Sequence, residues 1–452
     1  MRNTVRRRVF PLFLCFFLLS PAVLCAQEDN PTPIYTLDEC IDIALKRSPG
    51  ILTADEEIKR TTAYIFENWA SVLSVSADAE YRYAQPTSTL SAVTTGDAPY
   101  DLYSAELNAS LPLFTGGRTL WGLNIAYMGR EIAREQYRSA VSSTIYDART
   151  AFYSVLLAEK QVEVWTEEVA VLGRNLETTQ KNFMNGLAPK YDVNRIEVEL
   201  ANARTSLIQA KNDLTIAYDN LKNTLDLDLD QLIEIEGDLI FTRRDKDLDT
   251  YLSDAKAGSP ELRIKKLTER IAAKNVLVVI GSYFPTISAF ASYDYSSIND
   301  MNISFDDNDW EFTGGITISF PLTGLAVTTA RKKQAQAEYE EAKIDSLNTA
   351  KEIKLSVRRA YFDLVEAKEI IDLQMSNVDL AEGNLERSEL RYVNGVETLL
   401  GLLDARLAVT QARLNYINAI YTYEESLSRL NMIVGDDRTQ SERPPVPGTS
   451  DR

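Results

Sequence analysis

The chain has 452 residues, and its 48 Lys and Arg against 66 Asp and Glu give a formal net charge of −18. This acidic balance argues against a nucleic-acid-binding protein, because such proteins present a basic surface to the phosphates. The sequence contains no His and only three Cys. These counts exclude His-based catalysis, His metal sites, a Cys-rich metal site and a disulfide framework. The sequence also contains no nucleophile–base set, phosphate loop or metal-ligand spacing, so we do not predict an enzyme.

The first 26 residues have the layout of a secretory signal peptide. Four Arg precede an apolar stretch over 9–24, and small or polar residues close it. The stretch is shorter than the roughly 20 residues of a transmembrane helix, so export with cleavage after Ala26 is favoured over a membrane anchor. Acylation of Cys25 is the alternative, although the bulky Leu24 before it is atypical. The mature protein is predicted to be soluble or to cross a membrane as a β-barrel.

The rest of the chain is a tandem repeat. Four motifs recur at an offset of 209 residues, namely Ala151-Phe152-Tyr153 as Ala360-Tyr361-Phe362, Asn185-Gly186 as Asn394-Gly395, Ala203-Arg204 as Ala412-Arg413, and Leu111-Pro112-Leu113 as Phe320-Pro321-Leu322. Such periodicity indicates two copies of one structural unit. The prediction is a first repeat over 27–226, an equatorial linker region over 227–257, a second repeat over 258–435 and a disordered tail over 436–452.

Each repeat contains two long helices. Apolar residues follow a four-and-three spacing over about 115–184 and 189–225, and again over about 324–393 and 397–434. This heptad pattern is typical of coiled-coil packing. The Asn-Gly pairs between the helices predict tight turns that join antiparallel partners. The apolar stripes therefore indicate architecture and not chemistry.

Each repeat also contains two segments in which apolar and polar residues alternate. They span about 74–85 and 102–114, and about 286–296 and 311–321. This period of two predicts strands long enough to cross a membrane, although a half-buried soluble sheet has the same pattern. Four strands cannot close a barrel, since about eight are needed, and open sheet edges are not tolerated in lipid. Several chains must share one barrel if these strands span a membrane.

This arrangement resembles the TolC-type outer-membrane efflux family over nearly the whole mature chain. The segments that carry the resemblance are TLDECIDIAL at 36–45, LFTGGR at 113–118 and YVNGVETLLGLLDA at 392–405. The resemblance implies an α+β membrane protein: a homotrimer whose 12 strands form a β-barrel in outer-membrane lipid, continued by a periplasmic α-barrel of 12 helices. It implies a passive exit duct for small molecules or proteins, which needs no cofactor and is served by an inner-membrane pump and a periplasmic adaptor. The alternative is a periplasmic coiled-coil adaptor or scaffold without a membrane barrel.

The resemblance also identifies a candidate pore gate in the second repeat. Asp404 matches a position at which the family has a pore-facing acid. Threefold symmetry would turn it into a ring of three carboxylates, which attracts cations. A solvated Asp on a helix face is the alternative. One turn earlier the family often has a second acid, but this chain has Gly401, which predicts a weaker gate.

A lock of the closed channel is implied at the same tips. Asp192 matches a first-repeat acid of this lock, and the neighbouring Tyr392 is retained. The usual basic partner, however, aligns with Glu397, and two carboxylates repel each other unless one is protonated or a cation intervenes. Lys190 and Arg195 are the alternative partners of Asp192.

The resemblance places the turns at Asn185-Gly186 and Asn394-Gly395 against the adaptor. Left-handed turn geometry alone also accounts for these glycines. Separately, Asp300, Asp306, Asp307, Asp309 and Glu311 make the 296–311 segment acidic. We predict a solvated loop there and not a calcium site, because the spacing lacks an ordered ligand motif.

Overall fold

The computed structural model describes residues 33–84, 100–244, 246–298 and 310–435. The predicted signal peptide, with Cys25, and the predicted tail over 436–452 lie outside these residues, as do Asp300, Asp306, Asp307 and Asp309.

The described part of the first repeat contains two short and two long helices. The short ones are α1 (Leu37–Arg47) and α2 (Pro49–Ala70). The long ones are α3 (Arg118–Met184) and α4 (Lys190–Thr224). The 67 residues of α3 span about 100 Å at about 1.5 Å per residue. At the start of α1 the Thr36 N–H donates to the Glu39 carboxylate at 2.8 Å, and the Thr36 hydroxyl accepts from the Glu39 N–H, which is a capping box.

The second repeat contains the same four helices. They are α5 (Leu248–Gly258), α6 (Pro260–Gly281), α7 (Leu325–Val393) and α8 (Leu399–Val434). α5 has 11 residues, as α1 has, and α6 has 22, as α2 has. The predicted linker over 227–257 therefore contains α5, a helix of the second repeat. Its short, charged sequence carries too few turns for a clear heptad signal.

Six strands lie within the described ranges. They are β1 (Ile34–Tyr35), β2 (Ser74–Ala84), β3 (Tyr100–Phe114), β4 (Glu234–Ile235), β5 (Thr286–Ile298) and β6 (Trp310–Ser319). β1 and β4 form a small parallel pair, and the other four form an antiparallel sheet with the order β2-β3-β5-β6. β6 ends before Pro321, which has no N–H to donate to a ladder. Glu311, which ends the predicted loop over 296–311 and begins the predicted strand over 311–321, is the second residue of β6.

The register of the sheet separates an apolar from a polar face. One row across the four strands contains Ala77, Leu107, Tyr293 and Phe312. The adjacent row contains Asp78, Glu106, Asp294 and Glu311, on the opposite face. β2 and β6 are the sheet edges, and neither pairs with a further strand of the described chain. The apolar face is open, since Phe312 is 69% and Ile318 68% exposed.

The helices continue the sheet as a single layer. Next to the sheet, α2, α3, α6 and α7 pack side by side in that order, so each strand continues into one helix. Farther away, α4 and α8 take the places of α2 and α6, and the order becomes α4-α3-α8-α7. The largest apolar core lies where the short and long helices meet, around the fully buried Tyr251, Tyr423 and Leu364.

The junction between sheet and helices depends on glycine. Gly116 and Gly117 have φ of +65° and +83°, so α3 begins at Arg118 and not at the predicted Thr115. A Cβ on Gly116 would overlap the Gly281 carbonyl oxygen at the end of α6. The connecting segments of the two repeats thus pack backbone against backbone, which a side chain would prevent.

Candidate functional site at the paired helix tips

Both long helix pairs end in the same turn. Gly186 and Gly395 have φ of +72° and +71°, and no heavy atom lies within 4 Å of where their Cβ atoms would be. The Gly186 N–H donates to the Phe183 carbonyl, and the Gly395 N–H to the Tyr392 carbonyl, both at 3.0 Å. The side of each turn on which the Cβ would lie is therefore open. The glycines are required by the left-handed backbone and not by crowding.

Apolar side chains at equivalent positions flank the two turns. Met184 and Leu187 are 81% and 77% exposed in the first repeat, and Val393 and Val396 are 83% and 65% exposed in the second. Each pair brackets an Asn-Gly. Each turn therefore has an exposed apolar side chain on both sides of its Asn-Gly pair.

The negative charge of Glu397 is paired with a cation of the same helix tip. Its carboxylate accepts from Arg391 Nε at 3.2 Å and from the Thr398 N–H at 3.3 Å. Thr398 in turn caps α8, because its hydroxyl accepts from the Gly401 N–H at 3.1 Å. A side chain at 401 would overlap the Glu397 carboxylate, so Gly401 leaves room for this ion pair. Arg391 was not identified from the sequence, because its pairing depends on the shape of the turn.

Asp192 lies near Tyr392 and does not pair with either expected cation. Arg195 pairs with Glu199 at 3.4 Å, and Lys190 makes no ion pair within the described chain. Burial raises the pKa of Tyr392, the Asp192 carboxylate raises it further, and a hydrogen bond with Thr179 lowers it. The tip thus brings Asp192 and Tyr392 together, whereas Glu397 belongs to a separate ion pair with Arg391.

Asp404 stands free on the surface of α8. It is exposed, and it lies between Leu403 and Ala405, each 6% exposed. Its carboxylate makes no hydrogen bond or ion pair with the described residues of this chain. Leu403 packs with Leu172 of α3 and Ile196 of α4 in a small core that joins the two helix pairs. The neighbours of Asp404 hold the helix in place while its charge stays available.

A charge network above this small core ties the two repeats together. Arg406 contacts Glu389 at 2.7 Å and Glu168 at 3.9 Å, and Thr410 donates to Glu168 at 3.2 Å. Arg406 and Glu168 are both largely buried, with 11% and 12% of their side chains exposed. No sequence signal indicated this network, since Glu168 and Thr410 are 242 residues apart.

Within the ranges that the structure describes, no helix is long and apolar enough to cross a membrane. Those ranges also contain no group of three or more His, Cys, Asp or Glu arranged to hold a metal ion.

Comparison with known proteins decides the family. A family model described as outer membrane efflux protein matches residues 40–225 and 251–436, one match for each repeat. The chain belongs to the outer membrane efflux protein family. Its members are channel proteins of the outer membrane, so this protein is an outer-membrane exit duct with a large periplasmic helical portion.

Individual relatives agree with this assignment. The chain is 26% identical to the outer membrane protein TolC of Vibrio cholerae over 390 residues, which cover 82% of this chain and 88% of TolC. It is 22% identical to the alkaline protease secretion protein AprF of Pseudomonas aeruginosa, covering 96% of this chain and 89% of AprF. The fold is similar to the CmeC outer membrane channel of Campylobacter jejuni, with a TM-score of 0.79, 17% identity and coverage of 88% and 85%.

Proposed function

We propose that three copies of this chain form a closed duct through the outer membrane and the periplasm, docked at its helix tips to an adaptor and an inner-membrane pump. The observation that carries the proposal is the pair of free edges. Within the described residues the sheet has unpaired edges at β2 and β6, and an unpaired edge is not tolerated in lipid. Three sheets joined edge to edge give 12 strands, with the apolar face toward lipid and the polar face toward water.

The helix layer also has two open sides, as the sheet has two unpaired edges. Its outermost members, α4 and α7, expose apolar residues such as Ile208 at 69% and Leu373 at 70%. Large exposed apolar residues on the outermost helices are typical of subunit interfaces. A second copy of the chain is the occupant that also completes the sheet, because the same assembly covers both free edges.

The internal repeat indicates which residues meet between copies. Within one chain α3 packs on α8, and Tyr146 donates to Glu425 at 3.3 Å. By the 209-residue offset, the equivalent pair is Leu355 on α7 and Ile216 on α4. Both are 49% exposed in the single chain. These two residues are therefore expected to face each other across the interface between neighbouring copies.

A cross-linking experiment tests the assembly. Cysteines at Ile216 and Leu355, treated with a short bifunctional thiol reagent, should give covalent dimers and trimers in denaturing gels. Each single-cysteine variant is the matched control and should stay monomeric. Cys40 should not react, because it is fully buried and burial raises the pKa of its thiol to about 12. Absence of cross-linked trimers from intact membranes would contradict the proposal.

The tips supply the entrance. Asp404 would form a ring of three carboxylates at the constriction, while the exposed apolar residues beside Gly186 and Gly395 would contact the adaptor. The family is described as outer membrane efflux proteins, and the relative AprF is named for alkaline protease secretion. We propose that this duct likewise serves efflux or secretion, and that it opens passively for cargo that a pump delivers.

A further inference from the structure

Four segments at the junctions between sheet and helices contain no Asp or Glu, as do a few other stretches such as 178–191 and 405–423. The junction segments are 68–77, 107–130, 270–293 and 312–337. The chain has 66 acidic residues in 452, so the three longer segments, of 24, 24 and 26 residues, are unusually long to lack an acid. The same segments carry seven cations, namely Arg118, Arg130, Arg270, Lys274, Arg331, Lys332 and Lys333.

The fold brings these four segments to one level. Each covers one of the four junctions at which a strand continues into a helix. Gly116 lies against Gly281, and Lys274 Nζ lies 4.4 Å from the centre of the Trp121 ring. Contacts between the segments therefore join three of the four junctions, since the Tyr283 hydroxyl is also 3.0 Å from that of Thr329. The fourth junction, in segment 68–77, is joined to segment 107–130 by the strand pairing of Ser74 with Ser110.

Large apolar side chains are exposed at the same level. They are Trp69 at 56%, Leu73 at 55%, Leu120 at 72%, Phe284 at 49% and Leu322 at 73%. A water-filled passage is lined by polar groups, whereas exposed aromatic and aliphatic groups beside cations are typical of a membrane–water boundary. These residues also adjoin the open apolar face of the sheet. These exposed side chains therefore lie at the boundary with lipid and do not line the lumen.

Four of these cations, on α6 and α7, have no acidic partner among the described residues. Lys274, Arg331, Lys332 and Lys333, which we call the basic collar, make no ion pair with other described residues. Arg331 is the seventh residue of α7, about 10 Å along the helix axis from its start. Lys and Arg extend their charged ends over such distances while their stems cover apolar surface. The collar thus reaches the layer in which lipid phosphates lie.

We propose that the basic collar binds the anionic headgroups of phospholipids in the periplasmic leaflet of the outer membrane. The inference rests on the proposed placement of the sheet in that membrane. Charge complementarity carries it: the collar is positive and free of acids, and each Lys or Arg near an anionic membrane surface strengthens binding about fivefold. The first acidic residues of the sheet beyond these segments are Asp78, Glu106 and Asp294, which lie on its polar face.

The experiment compares lipid preference in two variants of α7. The collar variant is Arg331→Gln, Lys332→Gln and Lys333→Gln. The control variant is Lys351→Gln, Lys354→Gln and Arg359→Gln, which removes the same charge from exposed positions farther along the helix. Detergent-purified trimers are incubated with equal phosphatidylglycerol and phosphatidylcholine, and bound lipids are counted by native mass spectrometry. The wild type and the control variant should prefer phosphatidylglycerol, and the collar variant should lose that preference by at least about tenfold.

The outcomes separate this inference from the assembly itself. A trimeric wild type without preference for phosphatidylglycerol would overturn the inference and leave the proposed duct intact. Equal loss in both variants would show a general charge effect and would also overturn it. A collar variant that keeps its lipid preference but changes ion selectivity in planar bilayers would place the collar in the lumen. Failure of the wild type to form trimers in detergent would overturn both proposals.

Discussion

Asp404 is the residue on which the proposed gate depends. Because its carboxylate is exposed and unpaired in the single chain, three copies around the axis would concentrate negative charge at the constriction. Asp404→Asn preserves size and removes that charge. We expect weaker cation selectivity and weaker block by trivalent cations in planar bilayers, with an unchanged trimer. Since Gly401 supplies no second ring, this one substitution should remove most of the cation selectivity and most of the block. Retained selectivity would show that Asp404 does not line the constriction.

Glu424 provides a pH-dependent test at the same scale. Its side chain is 4% exposed beside the half-exposed Arg244, and burial raises its pKa above the ordinary value of 4.5 against the opposing effect of Arg244. Above the raised pKa, the folded protein carries the cost of a buried charge that the unfolded chain does not. Lowering the pH through that pKa protonates Glu424 and removes the cost.

Glu424→Gln should therefore be as stable as the wild type, or more stable by up to about 1 kcal/mol, near pH about 8. The difference should shrink as the pH falls toward the ordinary carboxyl value, because the wild type becomes neutral as well. Apparent melting temperatures of detergent-purified trimers measure both. A variant that melts well below the wild type at high pH would show that the ion pair with Arg244 outweighs the burial cost.

At the scale of elements, the tip turn of the second repeat is the testable feature. Gly395 has φ of +71°, which a β-branched residue strongly disfavours. Gly395→Val should distort the tip and reduce export several-fold, with the trimer retained. The matched control is Gly173→Val, since Gly173 lies inside α3 with a helical backbone and no atom within 4 Å. Normal export by the Gly395 variant, measured as cellular drug accumulation or protein secretion, would remove support for a docking role.

Elements with a long periodic signal were predictable from the sequence, and short ones were not. The predicted helix over 324–393 corresponds to α7 at Leu325–Val393, because many heptads repeat one choice of buried positions. α5 was missed inside a predicted linker. Helix ends followed local chemistry: Gly116 and Gly117 delay α3, since their left-handed backbone cannot continue a helix.

At the scale of the whole molecule, the repeat and its unsatisfied edges determine how copies join. α4 and α7 are related to α8 and α3 by the same offset that relates the motifs. A contact inside one chain therefore predicts a contact between chains, as with Ile216 and Leu355. Such a pair follows from the repeat, which the sequence supplies, together with the order α4-α3-α8-α7, which only packing supplies.

The sequence by itself determined the duplication, the four long helices, the alternating strands and the Asn-Gly turns, because each arises from local periodicity or backbone conformation. Tertiary structure alone decided the pairing of Glu397 with Arg391 and the network of Glu168 with Arg406 and Thr410. It also assembled the acid-free segments into one level. These features join residues distant in the chain or across a turn, and side-chain charges carry no information on which distant partner the fold will bring within a few ångströms.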